Sequence, residues 1–367
     1  MDRLPGTVGH TVLDNALAAS QGVTCRTEVA ADERVFRPPS QLGKGGTMEL
    51  AADFSFQPLP ALENPVHFPF PAVAHPLGPL APLAGKWSGR GFNVIWRPNH
   101  TPGQDRFLEL NVTSEQLEFD AISGPIPNRG LLQPDINMFG LTYLQQISDA
   151  NLKAGLHIEP GIWVTIPATS APKVVPTVAR LASIPHGTTI VVQGTASTSA
   201  AAPVIPDVSI KPFTIGSPTA TFDFPEQTLN TATQFRTSGA GLTGVTQNMV
   251  NNPNTVLRSA IASQHIHATT TLHVSTADAP VPGGGTANTA FLKGAVHGPN
   301  AVSARVTATF WLETIQGDPA PRQLQYSQLV LLNFNGLSWP HITVGTLHKN
   351  VSTTPTPQQV DPASPAT

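Results

Sequence analysis

The sequence predicts a mainly β protein in which about ten antiparallel strands form a sandwich or a barrel, with one short helix in an insertion. Three observations support this fold class. Short segments rich in strand-forming residues recur between turn residues, 37 prolines and 30 glycines disfavour long helices, and only 12% of the 367 residues are charged. The 40% hydrophobic content is sufficient for a core, so the chain is expected to fold on its own.

The composition divides the chain into three regions. Residues 1–65 mix charged residues, proline and glycine without periodicity, which predicts an irregular N-terminal extension. Residues 66–349 are predicted to form a single β domain. Residues 350–367 are rich in Ser, Thr, Pro and Gln, a composition typical of a disordered tail.

Ten segments of the central region have the composition of β-strands and are bounded mostly by Gly, Pro, Asn or Asp. They are residues 85–98, 106–122, 141–149, 156–167, 178–184, 188–196, 265–276, 300–315, 322–334 and 337–349. Segments of this length, joined by turns, predict antiparallel pairing.

Residues 197–299 are predicted to contain an insertion. Its first part is rich in Ala, Thr, Ser and Pro and then predicts one helix, with Asn252 as the N-cap and Pro253 at the first helical position. The apolar face of that helix is predicted to comprise Val256, Leu257, Ala260 and Ile261. A later stretch, "PVPGGGTANTAFL", is predicted to be a glycine-rich loop, and it lacks the Lys and Ser/Thr of a phosphate-binding loop.

Charge and cysteine content exclude several classes of function. The net charge is −3 and Lys and Arg do not cluster, so nucleic acid is not an expected partner. A single cysteine, Cys25, excludes an internal disulfide, a Cys-rich zinc site and an iron–sulfur cluster. No 18-residue apolar run and no signal-peptide pattern occur, which predicts a soluble protein that is cytoplasmic; export without a leader is the alternative.

The stretch "GKWSGRGFN" raises the first question about a binding site. Gly89 and Gly91 follow Trp87 at alternate positions, so one face of this strand has almost no side-chain bulk. Either a large flat ligand lies against that face or another part of the backbone approaches it closely.

Four motifs, in order, resemble nitrobindin-like proteins, a family of heme-binding β-barrels related to the calycins. Gly85, Trp87, Gly89 and Gly91 match the first motif, whose last glycine is replaced here by Asn93. The second is similar to "HIEPGIW", residues 157–163, and the third to the hairpin at residues 178–194. The fourth is a tyrosine-bearing strand followed by a histidine strand, here Tyr326 and His341.

The resemblance implies an antiparallel calycin-like β-barrel that binds heme b, with His341 as the proximal iron ligand. It also implies that Gly89, Gly91 and His157 border the heme, and alternation along the last strand adds Gly345 to this set. The expected partner is then a small diatomic or peroxide-type ligand, and the implied activity is peroxynitrite isomerisation or a peroxidase-like reaction. Neutral imidazole suits this role because the porphyrin supplies the other four nitrogens.

Strand alternation makes a separate prediction for residues 341–349. If His341 points inward, Gly345 leaves room beside it and Lys349 reaches Trp87 at the closed end. The opposite face then presents Ile342 and Val344 outward. An apolar outer face needs cover, so we expect either the insertion helix or a second copy in a homodimer to lie on it.

Other candidate residues have less specific patterns. Glu159, two residues after His157, offers that imidazole a hydrogen-bond partner and a structural role. His265, His267 and His273 alternate along one strand and are candidates for a separate metal site. Arg90 and Arg180 are the candidates for a distal cation above a heme, although the sequence places neither.

Two further hypotheses remain open at this stage. The same barrel cavity, without heme, suits a carrier of an apolar small molecule. Alternatively, the domain is an interaction barrel in which the insertion binds a partner. No hydrolase elbow, metalloprotease motif or dinucleotide fingerprint is present in the sequence to favour another enzyme class.

Overall fold

A computed structural model describes residues 76–101, 105–184, 187–233, 243–276, 284–289 and 300–350. The predicted extension at 1–65 and nearly all of the predicted tail at 350–367 lie outside these residues. In the part of the chain that is described, no helix is long and apolar enough to cross a lipid bilayer.

The described residues form sixteen strands, two α-helices and two short 3-10 helices. The strands are β1 Gly85–Pro98, β2 Arg106–Ala121, β3 Ile126–Asn128, β4 Ile136–Asp149, β5 Gly155–Ile166, β6 Thr169–Ser170, β7 Lys173–Val174, β8 Thr177–Ile184, β9 Thr188–Ser199, β10 Phe213–Thr214, β11 Ser217–Thr221, β12 Ile266–Ser275, β13 Gly285–Asn288, β14 Val302–Ile315, β15 Gln323–Phe334 and β16 Leu337–Lys349. The helices are α1 Gln247–Asn251 and α2 Asn254–Ile261, and the 3-10 turns are Gly78–Leu83 and Pro225–Gln227.

Ten long strands close into one antiparallel barrel. Their order is β1, β2, β4, β5, β8, β9, β12, β14, β15, β16, and β16 pairs with β1 to complete the ring. Each strand therefore neighbours the next long strand in the sequence, as short connections between antiparallel strands favour. The closing pair runs from Trp87 opposite Lys349 to Ile95 opposite His341. The prediction of a ten-stranded antiparallel fold is confirmed, and its architecture is a barrel.

Inward-facing apolar side chains fill one end of the barrel. The cluster includes Trp87, Phe119, Trp163 and Phe310, and the 3-10 turn at Gly78–Leu83 adds Leu80 and Leu83 to it. The indole Nε1 of Trp87 donates a 2.7 Å hydrogen bond to the Leu83 carbonyl. This turn closes the barrel at the end where β1 begins and β16 ends.

Lys349 also contributes to the closed end. Its ammonium lies 5.2 Å from the Trp87 ring centroid and donates a 2.9 Å hydrogen bond to the Pro82 carbonyl. The predicted contact between Lys349 and Trp87 is confirmed. Burial lowers the pKa of this ammonium, and the Arg322 charge acts in the same direction.

A second apolar cluster lies outside the barrel. Ile342 and Val344 on β16 are fully buried under the insertion, where Leu257 of α2, Val250 of α1 and Ile210 pack against the outer strand surface. Of the two covers predicted for this face, the insertion is the one observed. A homodimer stays a prediction that this face no longer requires.

The insertion differs in detail from its prediction. β12 lies within residues 197–299 and is itself a barrel strand, so the additions lie on either side of it. Asn252 does not cap α2 with its side chain, because its amide donates to Asp207 and its oxygen accepts from the Val208 N–H. Ala260, expected on the apolar face, is exposed.

Part of the predicted glycine-rich loop is a strand. Residues 285–288 form β13 and pair with the first four residues of β9, from Gly285 opposite Val191 to Asn288 opposite Thr188. This part of the loop prediction is wrong. β12 pairs only with residues 193–199 of β9, so the same edge of β9 is available to β13 at residues 188–191. Residues 280–283 and 290–292 of the same stretch lie outside the described residues.

Candidate functional site

A cavity of about 520 Å³ occupies the end of the barrel opposite Trp87, where β1 ends and β16 begins. Its apolar wall includes Ile95, Ile147, Ile184, Val330 and Leu332. Its polar lining includes Asn93, Gln145, His157, Tyr326, Gln328 and His341. A concave site of this size with a few convergent polar groups is typical of a small-molecule binding site.

His341 projects from the inner face of β16 and lines this cavity. Its ring is half-buried, and its Nε2 lies 2.8 Å from the side-chain oxygen of Asn93 and 3.3 Å from the Thr343 hydroxyl. The inward orientation agrees with the alternation along β16. Asn93, which replaces the last glycine of the motif, therefore lies directly against the histidine.

A chain of hydrogen bonds fixes the orientation of the Asn93 amide. The Asp149 carboxylate can only accept, so the Asn111 side chain must donate to it through Nδ2, at 3.0 Å. The Asn111 oxygen then accepts from Asn93 Nδ2 at 3.1 Å, which directs the Asn93 oxygen towards His341. An amide oxygen is only an acceptor, so the neutral imidazole carries its proton on Nε2.

Asp149 is well suited to begin this chain. Burial opposes its ionisation, but the backbone N–H of Leu152, the Asn111 amide and the backbone N–H of Asn151 lower the pKa of the carboxyl below its ordinary value. The two backbone donors lie 2.7 and 2.8 Å from Asp149 Oδ1. The carboxylate thus stays charged and determines the direction of every later hydrogen bond.

Below the cavity, a buried ion pair joins β5 to β8. The Arg180 guanidinium contacts Glu159 and donates to the Tyr143 hydroxyl at 2.7 Å and to the Gln328 side-chain oxygen at 2.6 Å. Glu159 also accepts from Tyr143 and lies 3.2 Å from His157 Nε2. Burial would raise the pKa of Glu159, but the Arg180 charge and the His157 contact lower it to about 2.

A second buried carboxyl, Glu115, lies on the neighbouring part of the floor. Its two oxygens accept from the Thr113 hydroxyl and from the Tyr326 hydroxyl, each at 2.6 Å. Gln145 donates to the same Tyr326 oxygen at 3.1 Å. Burial raises the pKa of Glu115 to about 7, and these hydroxyl contacts only partly oppose the increase.

The three glycines predicted to border a ligand have a different environment from His341 and His157. The described residues that line the cavity do not include Gly89, Gly91 or Gly345. A Cβ at Gly91 would collide with the Val344 carbonyl and the Glu115 carboxyl, and one at Gly345 would lie 2.6 Å from the Tyr326 ring. These glycines make room for backbone, Glu115 and Tyr326. Their role towards a ligand stays a prediction.

The remaining candidates are separate from the cavity. Arg90 is exposed, whereas Arg180 is buried below the cavity and is not among its lining residues. His265 and His267 are exposed, and His273 contacts the Thr309 hydroxyl at 2.9 Å. Throughout the described ranges, no group of three His, Cys, Asp or Glu side chains is arranged to hold a metal ion.

Sequence reasoning missed the polar groups of β2, although a signal was present. Asn111, Thr113 and Glu115 occupy alternate positions, the same periodicity that places Leu117 and Phe119 in the core. Three consecutive polar residues on an inward face predict a polar interior at that level of the barrel.

No protein-family model and no curated protein sequence matches the chain. Among solved structures, one that matches is the crystal structure of Rv2717c from M. tuberculosis, at 18% sequence identity and a TM-score of 0.36. The match covers 76% of this chain and 99% of that chain.

Proposed function

We propose that the barrel binds heme b in the cavity at its open end, with the His341 imidazole as the iron ligand. The observation that supports this most strongly is the position of His341, half-buried and facing a cavity of about 520 Å³. Cavities that hold cofactors and similar small molecules measure about 300–1,000 Å³. The motif resemblance assigns the ligand role to the same residue.

The residues around the cavity are compatible with heme. One neutral imidazole is enough to hold the iron, and Ile95, Ile147 and Val330 offer apolar surface to a flat macrocycle. Coordination through Nε2 requires this atom to lose both its proton and its hydrogen bond with Asn93, so the neutral imidazole would carry its proton on Nδ1. Asn93 would keep the 3.0 Å bond from the Thr343 hydroxyl, so the loss is about 0.5–1.5 kcal/mol.

A bound heme would supply an iron centre for nitric oxide, peroxynitrite or peroxide. The chain's own residues would hold the imidazole on the inner face of β16 and would exclude water through the apolar wall. Arg180 is held by Glu159, Tyr143 and Gln328 below the cavity, so its charge is already neutralised by a buried partner. It is therefore a structural cation in this proposal.

Heme titration of the purified protein, followed by its Soret absorption, tests the proposal. Wild type should develop a saturable band, and His341→Ala should shift that band and weaken binding by about tenfold or more, the equivalent of about 1.4 kcal/mol. His273→Ala is the matched control, because that histidine is exposed on β12. A band that His341→Ala leaves unchanged would exclude the assignment.

Asn93→Gly sharpens the same experiment. Removing the amide leaves Nε2 without the acceptor that now competes with iron, so heme should bind about two- to tenfold more tightly. Weaker heme binding by this variant would mean that Asn93 supports the ligand geometry and does not compete with it.

A second candidate function is a heme-free carrier of a small, mostly apolar molecule. The bond between His341 and Asn93 favours it, because this imidazole is already part of a chain that ends at Asp149. Titration with a fluorescent apolar probe, and its displacement by heme, separates the two candidates. A protein that binds the probe but develops no Soret band is a carrier.

A further inference from the structure

The floor of the cavity contains a carboxyl and a phenol that share one short hydrogen bond. Glu115 is 1% exposed and Tyr326 is 2% exposed, and the phenol forms part of the cavity lining while the carboxyl lies behind it. Gly91 and Gly345 lie so close to the carboxyl that a Cβ at either position would contact it. The carboxyl is therefore confined behind Tyr326, which separates it from the cavity.

We propose that Glu115 and Tyr326 form a proton-dependent binding subsite that takes the carbonyl, or another hydrogen-bond-accepting group, of a mostly apolar ligand. This subsite does not rest on heme binding. It assigns a role to two side chains that the proposed iron site does not use.

The direction of the shared hydrogen bond determines what the cavity presents to a ligand. When Glu115 is ionised, both of its oxygens are acceptors, so the Tyr326 proton is directed towards Glu115 and away from the cavity. When Glu115 is protonated, its own O–H donates to the Tyr326 oxygen, which also accepts from Gln145. The phenol proton then has no acceptor on that side and is directed towards a ligand.

The surroundings place this change near neutral pH. Burial raises the pKa of Glu115 to about 7, and it also raises the pKa of Tyr326 well above its ordinary value, so the phenol stays protonated throughout. Among the described residues, His157 is the charged neighbour that acts on the ionisation of Glu115, and Glu115, Arg180 and Glu159 act on that of Tyr326. The attraction of His157 lowers the pKa of Glu115, but burial outweighs it, and the Arg180 charge is paired with Glu159.

The cavity wall above the subsite limits the ligand class. Ile95, Ile147, Val330 and Leu332 would contact the body of the ligand, while Tyr326 is the donor at its inner end. A neutral ketone, ester or amide with an aromatic or aliphatic body meets both requirements. A free carboxylate would bring a second negative charge towards Glu159 and Glu115 and is disfavoured.

Binding of a solvatochromic aminonaphthalene ketone to the heme-free protein tests the proposal, because the emission of this probe shifts when its carbonyl accepts a hydrogen bond. For wild type we expect binding at pH 5.5 to be about three- to tenfold tighter than at pH 8.5, with the hydrogen-bonded emission at the lower pH. Glu115→Gln places an amide donor against Tyr326 and should bind with the affinity of low-pH wild type at both values. Tyr326→Phe should bind weakly at both.

Infrared spectroscopy provides a measurement that does not depend on the probe. The C=O stretch of protonated carboxylic acids should be present in wild type at pH 5.5 and decline through about pH 7. Glu115→Gln should remove one part of this decline, while the part from Glu313, whose pKa burial also raises to about 7, should remain. Glu118→Gln, an exposed carboxyl on the same strand, is the control. Wild-type probe affinity that is independent of pH, no binding at pH 5.5, pH dependence that persists in Tyr326→Phe, or a carboxylic acid band that Glu115→Gln leaves unchanged would each overturn the proposal.

Discussion

Glu115 and Glu159 are both fully buried inside the barrel, yet their carboxyl groups have opposite properties. Glu159 contacts a guanidinium, an imidazole and a phenol, and its pKa falls to about 2. Glu115 receives two hydroxyl hydrogen bonds, and its pKa rises to about 7. Depth of burial is the same in the two cases, so the charge of the nearest partner decides whether a buried carboxyl is ionised.

The two groups consequently affect stability in opposite pH ranges. The pKa of Glu159 is lowered on folding, so its stabilising contribution is present above about pH 4.5 and is lost as the pH falls towards 2. The pKa of Glu115 is raised, so its contribution is complete below about pH 4.5 and is lost as the pH rises through 7. Each carboxyl can be perturbed separately to test this contrast.

Removal of the Arg180 guanidinium should have the largest effect on the free energy of unfolding. Arg180→Met leaves Glu159 charged and unpaired in the barrel interior, which should lower the free energy of unfolding by about 3–5 kcal/mol in denaturant titrations at pH 7. Arg129→Met is the matched control, because Arg129 pairs with Asp135 at the surface and its loss should cost at most about 1 kcal/mol. Equal losses in the two variants would contradict the buried pairing.

Neutralisation of the Glu115 carboxyl should have an intermediate effect on the free energy of unfolding, and this effect should depend on pH. A shift from 4.5 to about 7 predicts that wild type loses about 3 kcal/mol from Glu115 between pH 4.5 and pH 8. Unfolding titrations at pH 5 and pH 8 should show that Glu115→Gln removes this part of the loss. Glu313, whose pKa burial also raises to about 7, should account for a further loss that remains in this variant.

If Glu115→Gln and wild type have the same difference in stability between the two pH values, the high pKa assigned to Glu115 is incorrect. Glu118→Gln, on the exposed side of β2, should leave the difference unchanged.

Removal of the Thr113 hydroxyl should have the smallest effect on the free energy of unfolding. Thr113→Val keeps the shape of the side chain but deletes the donor to Glu115, which should cost about 1 kcal/mol at pH 8 and raise the pKa of Glu115 further. The pH at which the Glu115 contribution to the carboxylic acid infrared band is half lost measures that increase in pKa. Thr142→Val, at an exposed position, is the control, and a midpoint that moves downward would show that Thr113 does not stabilise the ionised form.

The strands could be predicted from the sequence almost completely. All ten predicted segments correspond to the ten barrel strands, with the largest differences at the start of β4 and the end of β9. Alternation and turn residues are local signals, so they predict strands without knowledge of the rest of the fold. The choice between sandwich and barrel depends on whether β1 pairs with β16, more than 200 residues away, and local signals do not contain that information.

The candidate site could be predicted only for features that depend on the sequence of a single strand. The inward orientation of His341 follows from alternation along β16. The chain from Asp149 through Asn111 and Asn93 requires three strands to lie side by side, and the pairing of Arg180 with Glu159 requires the register of β5 and β8. Binding of heme, and any reaction that it supports, stays a prediction until the titrations are done.

The pairing of the first and last barrel strands has a practical consequence for attaching this domain to other molecules. The Asn350 N–H donates to the Lys86 carbonyl at 2.8 Å, so the two positions at which the chain enters and leaves the barrel lie side by side. Both are at the end that Trp87 and Lys349 close, whereas the entrance near His341 is about 26 Å away along β16, at 3.3 Å per residue. A linker, affinity handle or fused sensor joined at either position would leave the entrance open to solvent.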